Sequence, residues 1–262
     1  VAGSFYPSGV RELSALLESF FQSTKEAVRD SDIVVAPHAG YIYSGATAAH
    51  AFSALREHNT YVIISPNHNG LGEPISIYPE GEWQTPLGRI DVDSKISAKI
   101  AEELGVEQDE IAHMQEHSIE VQLPFMQKAF GRFKIVPMTL MTDNIQTLKA
   151  IAGAVHRACS SIGIVASSDF SHYVPLEDAK RKDLAAIKLI EKLDVDGFAR
   201  VVEEQNLSIC GAAAIMVAMQ YCREHGIKAG KLLKYATSAD ATHDTASVVG
   251  YAAIKFPNGI KP

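Results

Sequence analysis

Two apolar, strand-like runs in the sequence each end at a proline that is soon followed by a histidine, His38 in the first run and His68 in the second. Proline cannot continue a central ladder of backbone hydrogen bonds, so each run is expected to end there. Imidazole nitrogens bind metal ions and transfer protons near neutral pH. Because ligands bind outside the carboxyl ends of the strands in an open α/β sheet, the two histidines are predicted to share one site.

A third apolar run leads into a polar segment that contains Asp169 and His172, three residues apart. A carboxylate that accepts one imidazole N–H fixes the tautomer of the ring, and we expect Asp169 to orient His172 in this way. His172 would then suit either metal ligation or proton transfer. Ser167 and Ser168 precede this pair, but no G-x-S-x-G motif frames them, so the sequence gives little support to a serine hydrolase.

Cys210 directly precedes Gly211 and an apolar helical pattern. A thiol at a helix N-terminus lies near the positive end of the helix dipole and tends to lose its proton, and the thiolate is the form that binds metal. Taken alone, Cys210 is better explained as a buried packing residue. Cys159 and Cys222 lie inside helical patterns, which favours packing roles for both.

The other histidines differ in what their positions indicate. His117 is predicted at the start of a helix, with Glu120 one turn later, so both side chains could point into one pocket; a capping or core role for His117 is equally consistent with the sequence. His243 lies in a polar run, and its role stays open. A solvated or packed role is the expectation for the remaining ones: His50, His58, His113, His156 and His225.

The segments that must position these residues alternate between short Val/Ile-rich runs and longer amphipathic patterns, which predicts an α/β fold. We expect a three-layer α/β/α sandwich whose central sheet is mostly parallel, with antiparallel additions. The predicted strands are 33–36, 61–65, 75–78, a hairpin over 82–93, 134–138, 163–166, 232–237 and 248–256. The predicted helices are 10–22, 44–55, 94–104, 118–130, 146–159, 176–193, 195–203 and 211–222.

Composition limits the kinds of partner. The 262 residues show no linker-like stretch, so one domain over residues 1–262 is expected. The net charge is −7, from 24 basic and 31 acidic residues, which argues against nucleic acid or an anionic membrane as the main partner. No apolar run is long enough to span a bilayer, and no signal peptide is recognisable. With three cysteines and no CxxC spacing, the sequence predicts a soluble, cytoplasmic protein; it predicts no oligomeric state.

Taken together, these segments resemble the Memo family, which is found in archaea, bacteria and eukaryotes and is related in fold to the class III extradiol, LigB-type non-haem iron dioxygenases. The resemblance spans essentially the full chain and depends on six motifs in the same order. They are Ala2–Pro7, Pro37–Tyr41 with Ser44-Gly45, Pro66–His68, Glu116–Glu120 with Gln122–Pro124, Ser167–His172, and Cys210-Gly211.

The resemblance implies that His38, His68 and Cys210 face one another as metal ligands, with Asp169 and His172 in the same pocket. In the related dioxygenases, two histidines and a glutamate hold Fe(II), and another histidine acts as the base. Cys210 looks like the replacement for that glutamate. Because thiolate is softer than carboxylate, the replacement shifts the preference toward copper(I), zinc or a more covalent iron site. A site with two histidines, one cysteine and an open fourth position also resembles catalytic zinc sites.

Three functions are therefore considered. The first is a cytoplasmic metal-dependent redox or oxygen-dependent enzyme that holds iron or copper, with His172 as general acid/base and a small-molecule substrate. The second is a non-enzymatic module that holds metal or binds a peptide in the same pocket, because animal members of the family are associated with signalling and phosphotyrosine peptides. The third is metal-dependent hydrolysis, which requires zinc and a nearby carboxylate base.

Overall fold

Short β-branched runs and amphipathic helices alternate in the computed structural model, which describes residues 1–24, 27–159 and 161–257. The strands are β1 (Ser31–Ala36), β2 (Thr60–Pro66), β3 (Ile75–Ile77), β4 (Glu82–Thr85), β5 (Gly88–Val92), β6 (Lys134–Leu140), β7 (Gly163–Ser167), β8 (His172–Val174), β9 (Lys231–Thr237) and β10 (Val248–Pro257). The helices are α1 (Val10–Gln22), α2 (Tyr41–Ala54), α3 (Ser94–Leu104), α4 (Leu123–Phe130), α5 (Ile145–Ala158), α6 (Leu176–Glu191), α7 (Val195–Glu204), α8 (Ala212–Glu224) and α9 (Ala239–Thr242).

The centre of the sheet is parallel, in the order β5-β6-β2-β7-β1. Strand β10 pairs antiparallel with β1, and β9 and β8 pair antiparallel with β10. At the other side, β3 pairs antiparallel with β6 and β4 with β5. The predicted α/β fold, with a mostly parallel sheet and antiparallel additions, is confirmed.

Helices cover both faces of this sheet, because alternate residues of the central strands enter two different cores. Along β1, Ile33 and Val35 pack into one core, whereas Val34 and Ala36 pack into the other. The first core also contains buried residues of α3, α5, α6, α7 and α8. The second contains those of α1, α2 and α4. Strands that are buried on both faces explain the continuous apolar runs in the sequence, and the three-layer arrangement follows.

The secondary structure differs from the prediction in several places; helix α9 was not predicted, and α2 begins at Tyr41, three residues before the predicted start. The helix predicted over 118–130 begins only at Leu123, because residues 120–122 form a 3₁₀ turn and Pro124, in the first turn of the helix, lacks an N–H. The strand β8 was not predicted, since three residues carry no recognisable alternation. Among the residues that the structure describes, no helix combines the length and apolar character needed to cross a membrane.

His113 is packed as expected, 6% exposed and edge-on to the rings of Tyr78 and Trp83. Burial lowers the pKa of His113 to about 4, although Asp109 and Glu116 oppose the shift. Between that value and the ordinary pKa of 6.5, the unfolded chain binds the proton and the folded chain does not. Folding stability is therefore expected to fall as the pH falls from 6.5 to 4, by about 3 kcal/mol from this residue.

Urea unfolding at several pH values between 7 and 4 would measure this loss. The variant His113→Leu keeps an apolar side chain at the position and removes the titrating group, so its stability should depend less steeply on pH. If the two proteins lost stability in parallel over this range, the loss would not come from His113.

Candidate metal centre

Three neighbouring parallel strands, β2, β7 and β1, end at the same edge of the sheet. His38 follows the end of β1 by two residues, and His68 follows the end of β2 by two residues. Asp169 lies in the loop after β7. Cys210 approaches from the other half of the chain, just before the N-cap of α8. The sheet thus places residues that are far apart in sequence around one point.

The potential ligand atoms of His38, His68 and Cys210 lie within 4.8 Å of one another. Nε2 of His38 and Sγ of Cys210 are 3.2 Å apart. The two imidazole rings meet nearly edge to face, with centroids 5.3 Å apart at 79°. The structure therefore brings together the three residues that the sequence nominated; that they bind a metal stays a prediction.

The orientation of His38 follows from the hydrogen bonds of Ser167. The Ser167 hydroxyl donates to the Ser118 carbonyl (2.8 Å) and accepts from Nε2 of Gln122 (2.7 Å), so its remaining lone pair must accept from Nδ1–H of His38 (2.8 Å). This tautomer leaves Nε2 of His38 with a lone pair that faces Cys210. Burial and the nearby His68 hold the pKa of His38 well below its ordinary value, which keeps the ring neutral.

Glu116 orients His68. Its carboxylate accepts from the backbone N–H groups of His68 (2.6 Å), His117 (2.9 Å) and Ser118 (3.0 Å), and from the Ser118 hydroxyl (2.7 Å). Nδ1 of His68 lies 3.0 Å from the same carboxylate. Although burial opposes ionisation, the bonds from His68 and Ser118 hold the pKa of Glu116 well below its ordinary value. Nδ1 of His68 therefore carries the proton, and Nε2 is left for a metal.

A second set of potential ligand atoms, on His68, Glu116 and His117, also lies within 4.8 Å. The hydrogen bonds decide between the two sets. In the second set the Glu116 oxygens already accept bonds from backbone N–H groups and a hydroxyl, which a metal would have to displace. In the first set, Nε2 of His38 faces the Cys210 thiol, another potential ligand, whose proton a bound metal would displace. The set with Cys210 is therefore the better metal site.

The expected low pKa of the Cys210 thiol is not found. Burial raises the pKa of Cys210, and the Asp169 carboxylate raises it further, so the thiol is protonated in the metal-free protein. The sulfur accepts from the backbone N–H of Asp169 (3.3 Å), which compensates only in part. A bound cation would supply the missing stabilisation of the thiolate, because metal binding displaces the thiol proton.

Asp169 and His172 do not pair as predicted. The Asp169 carboxylate accepts from the backbone N–H of His38 (2.9 Å), so it positions the His38 loop. Nδ1 of His172 lies 2.7 Å from the carbonyls of both Phe170 and Ser208, which accept its proton and leave Nε2 bare. Burial raises the pKa of Asp169 to about 6, while the nearby His172 lowers it. The two residues thus interact through charge and not through a hydrogen bond.

His117 lies against the site, and Glu120 does not contact it. The His117 ring stacks on His68 with centroids 4.9 Å apart, and Phe5 stacks on its other side at 4.4 Å. Glu120 instead accepts a hydrogen bond from the Tyr6 hydroxyl (2.6 Å). His243 is an exposed residue that ends α9 in the left-handed conformation, at φ 60°. Ser167 is buried and has a structural role, since its hydroxyl is occupied by three hydrogen bonds.

Sequence reasoning missed the roles of Glu116, Ser167 and Gln122 in orienting the two histidines. Glu116 lies in the same short motif as His117, so the motif marked the right segment but not the right residue. Gln122 and Ser167 are 45 residues apart, and no local spacing indicates that they meet. The only usable signal was polarity in segments that are otherwise apolar.

Comparisons with known proteins agree over nearly the whole chain. The family model described as Memo-like protein matches residues 1–255. A MEMO1 family protein of Desulfurococcus amylolyticus is 45% identical, over 98% of this chain and 97% of its own length. Others from Methanosarcina acetivorans and Methanopyrus kandleri are 42% and 39% identical, over 97% and 99% of this chain and 96% and 98% of their own lengths.

Proposed function

The chain belongs to the Memo family, and from this membership together with the geometry of the pocket we propose that it is a metal-dependent oxidoreductase that holds iron or copper with His38, His68 and Cys210. The observation that carries the proposal is the contact between Nε2 of His38 and the Cys210 thiol, 3.2 Å apart, at the sheet edge. Two imidazoles and a sulfur are ligands that both metals accept.

The donor set fits a metal ion for a further reason. Both histidines donate Nδ1–H to fixed acceptors, Ser167 for His38 and Glu116 for His68, as metal-binding histidines usually do. This support fixes the tautomers before any ion arrives. The proposal includes the cytoplasm as the place of action, because a free thiol ligand such as Cys210 stays reduced there.

Side chains near the proposed metal would transfer protons and position the ligands. When bound, iron or copper would supply the electron transfer that side chains lack. His172 is the proposed general acid/base, because its Nδ1 is held by two carbonyls and its Nε2 is free to take a proton. Asp169 is 4% exposed, and the nearby His172 lowers the pKa of its carboxyl group, against the larger opposite effect of burial. Asp169 also positions His38 through its backbone N–H.

A test of metal binding uses His38→Ala and Cys210→Ser, singly and combined. Cobalt bound to a thiolate shows a sulfur-to-metal charge-transfer band, so we expect the band in the parent protein and none in either variant that lacks Cys210. Cys159→Ser is the matched control, because Cys159 is a partly exposed thiol outside the site and its loss should leave the band intact. Anomalous scattering at the iron, copper and zinc edges would identify the native metal.

We expect the combined variant to bind cobalt at least 100-fold more weakly than the parent protein. Loss of a group that only supports a ligand already costs up to about 100-fold, and this variant loses two ligands. A cobalt band that survived Cys210→Ser would show that the thiol is not a ligand. Zinc as the native metal would favour hydrolysis over redox chemistry, with Asp169 as the nearby carboxylate.

One observation favours peptide binding as a second candidate function. Tyr173 is 78% exposed beside His172 and holds a left-handed backbone at φ 56°, which is costly for a bulky residue. Tyrosine is enriched among the residues that contribute most to binding a protein partner. Aerobic turnover assays against a catechol panel with Fe(II), run beside titrations with phosphotyrosine peptides, would separate the two functions. If the protein bound a peptide, lost that binding in Tyr173→Ala and turned over no catechol, the result would favour the non-enzymatic peptide-binding module.

A further inference from the structure

His156 and His225 form a second cluster of imidazoles, away from the metal centre. His156 lies in the last turn of α5, and His225 is the residue that ends α8. Nδ1 of His156 and Nε2 of His225 are 2.7 Å apart, and both residues are exposed. The rings are almost perpendicular, at 87° with centroids 4.3 Å apart. Two ring nitrogens, one from each helix, thus meet at the surface in a hydrogen bond.

The structure around His225 resembles the support of a metal-binding histidine. Nδ1 of His225 donates to the Tyr221 carbonyl (2.8 Å), which fixes the tautomer and leaves Nε2 with a lone pair. The Tyr221 ring stacks on the imidazole at 3.8 Å and 18°, which restrains its plane. His225 therefore pays little conformational entropy on binding an ion, and its free nitrogen already faces His156.

The separation of the two nitrogens suits a metal. Two ligands in adjacent positions of a square-planar or octahedral site with bonds of about 2.0–2.1 Å are roughly 2.9 Å apart. The observed 2.7 Å is close to this value. In the metal-free pair, one proton lies between the nitrogens, on Nδ1 of His156. Since His156 is exposed, this proton can move through water to Nε2 of the same ring, and the vacated lone pair is then available.

The two helix ends also favour a cation. The C-terminal ends of α5 and α8 both lie here, and each carries the partial negative charge of the helix dipole. Arg157, beside His156, is neutralised by Glu103 at 2.7 Å. Arg223, in the last turn of α8, adds a positive charge, and the adjacent Glu224, which accepts a hydrogen bond from Gln220, adds a negative one. The α5 and α8 termini therefore present two imidazoles and two dipole ends to an approaching ion.

We propose that His156 and His225 form a second metal site, which takes a divalent cation that prefers imidazole, such as Zn²⁺ or Ni²⁺, with water in the remaining positions. The site links the ends of two helices that pack in the same core. It does not depend on the proposed function of the first site, because it shares no residue with that site.

The test removes one proposed ligand of the first site, Cys210, so that binding at the two sites can be told apart. In a Cys210→Ser background, calorimetric titration with Zn²⁺ and with Ni²⁺ is expected to show one ion per chain, with a dissociation constant below about 50 µM. Adding His156→Gln or His225→Gln should weaken binding at least tenfold. His243→Asn is the matched control, because it removes another exposed histidine and asparagine tolerates its left-handed backbone.

A second measurement follows the same ion. At a hundredfold excess over the dissociation constant, Zn²⁺ should raise the melting temperature by roughly 5 °C, and the rise should disappear in His225→Gln. If Cys210→Ser fails to fold, His68→Gln serves as the background, since the His68 side chain is already 32% exposed. A dissociation constant above about 50 µM, or one that neither histidine variant changes, would overturn the proposal.

Discussion

Gly211→Ala is expected to separate Cys210 from His38 and to weaken metal binding strongly, although it replaces none of the proposed ligands. A Cβ at position 211 would overlap the Ser167 carbonyl oxygen and lie 2.5 Å from Cβ of Ser168. Both are parts of a buried strand end, so the strain must move the segment that carries Cys210. Overpacking of this kind costs about 3 kcal/mol of folding stability, and the displaced thiol should weaken cobalt binding on the order of 100-fold.

Gly40→Ala is the matched control for this substitution. Gly40 also follows a proposed ligand, His38, and begins a helix, but a Cβ there would meet its nearest atoms at 3.7 Å, which is ordinary contact. Its backbone, at φ −54°, suits alanine. Urea unfolding and cobalt titration should therefore show little change for Gly40→Ala. Equal effects of the two substitutions would mean that close packing at Gly211 does not hold the thiol in place.

The second large effect is expected from Glu116→Gln. The new amide would place an NH₂ group where the carboxylate now accepts the His68 backbone N–H at 2.6 Å, so two donors would face each other. Because the side chain is 1% exposed, water cannot relieve the mismatch, and we expect a loss of about 3 kcal/mol in the free energy of unfolding. The amide oxygen would then occupy the Oε1 position, 3.0 Å from Nδ1 of His68, and a neutral amide is a weaker acceptor than a carboxylate. The weaker support of the His68 tautomer should reduce metal affinity 10- to 100-fold.

Glu120→Gln tests whether this effect is specific. Glu120 lies four residues away and bonds the Tyr6 hydroxyl, which an amide oxygen can still accept. Its metal affinity should match that of the parent protein. If Glu116→Gln bound cobalt as tightly as the parent, then the hydrogen bond from His68 would not contribute to ligand orientation.

Much of the fold could be predicted because its signals are local. Helix α3 begins and ends as predicted, since the Asp93 side chain caps its first turn and Gly105 ends it at φ 65°. The central strands were recognisable as apolar runs because both faces of the sheet are covered. The grouping of His38 and His68 also followed, because carboxyl ends of neighbouring parallel strands meet at one edge.

The rest of the site depends on contacts that leave no local pattern. Asp169 was paired with His172 because they are close in sequence, but its carboxylate instead reaches the backbone of His38, 131 residues away. The pKa of Cys210 was expected to be low from its place before a helix, whereas burial decides its direction. Burial and tertiary hydrogen bonds arise only when the chain is folded, so sequence spacing could not supply them.

The pair His38 and Cys210 spans 172 residues of the chain. When the ribosome has synthesised only the segments around His38 and His68, the nascent chain therefore carries two of the three proposed ligands. Ser167, which orients His38, and the Cys210 thiol are still missing. The pocket becomes complete only after Cys210 has been synthesised and α8 has packed against the sheet. Binding of the proposed metal would consequently follow the synthesis of residue 210, and a chain stalled on the ribosome before that residue is expected to bind the ion more weakly than the finished protein.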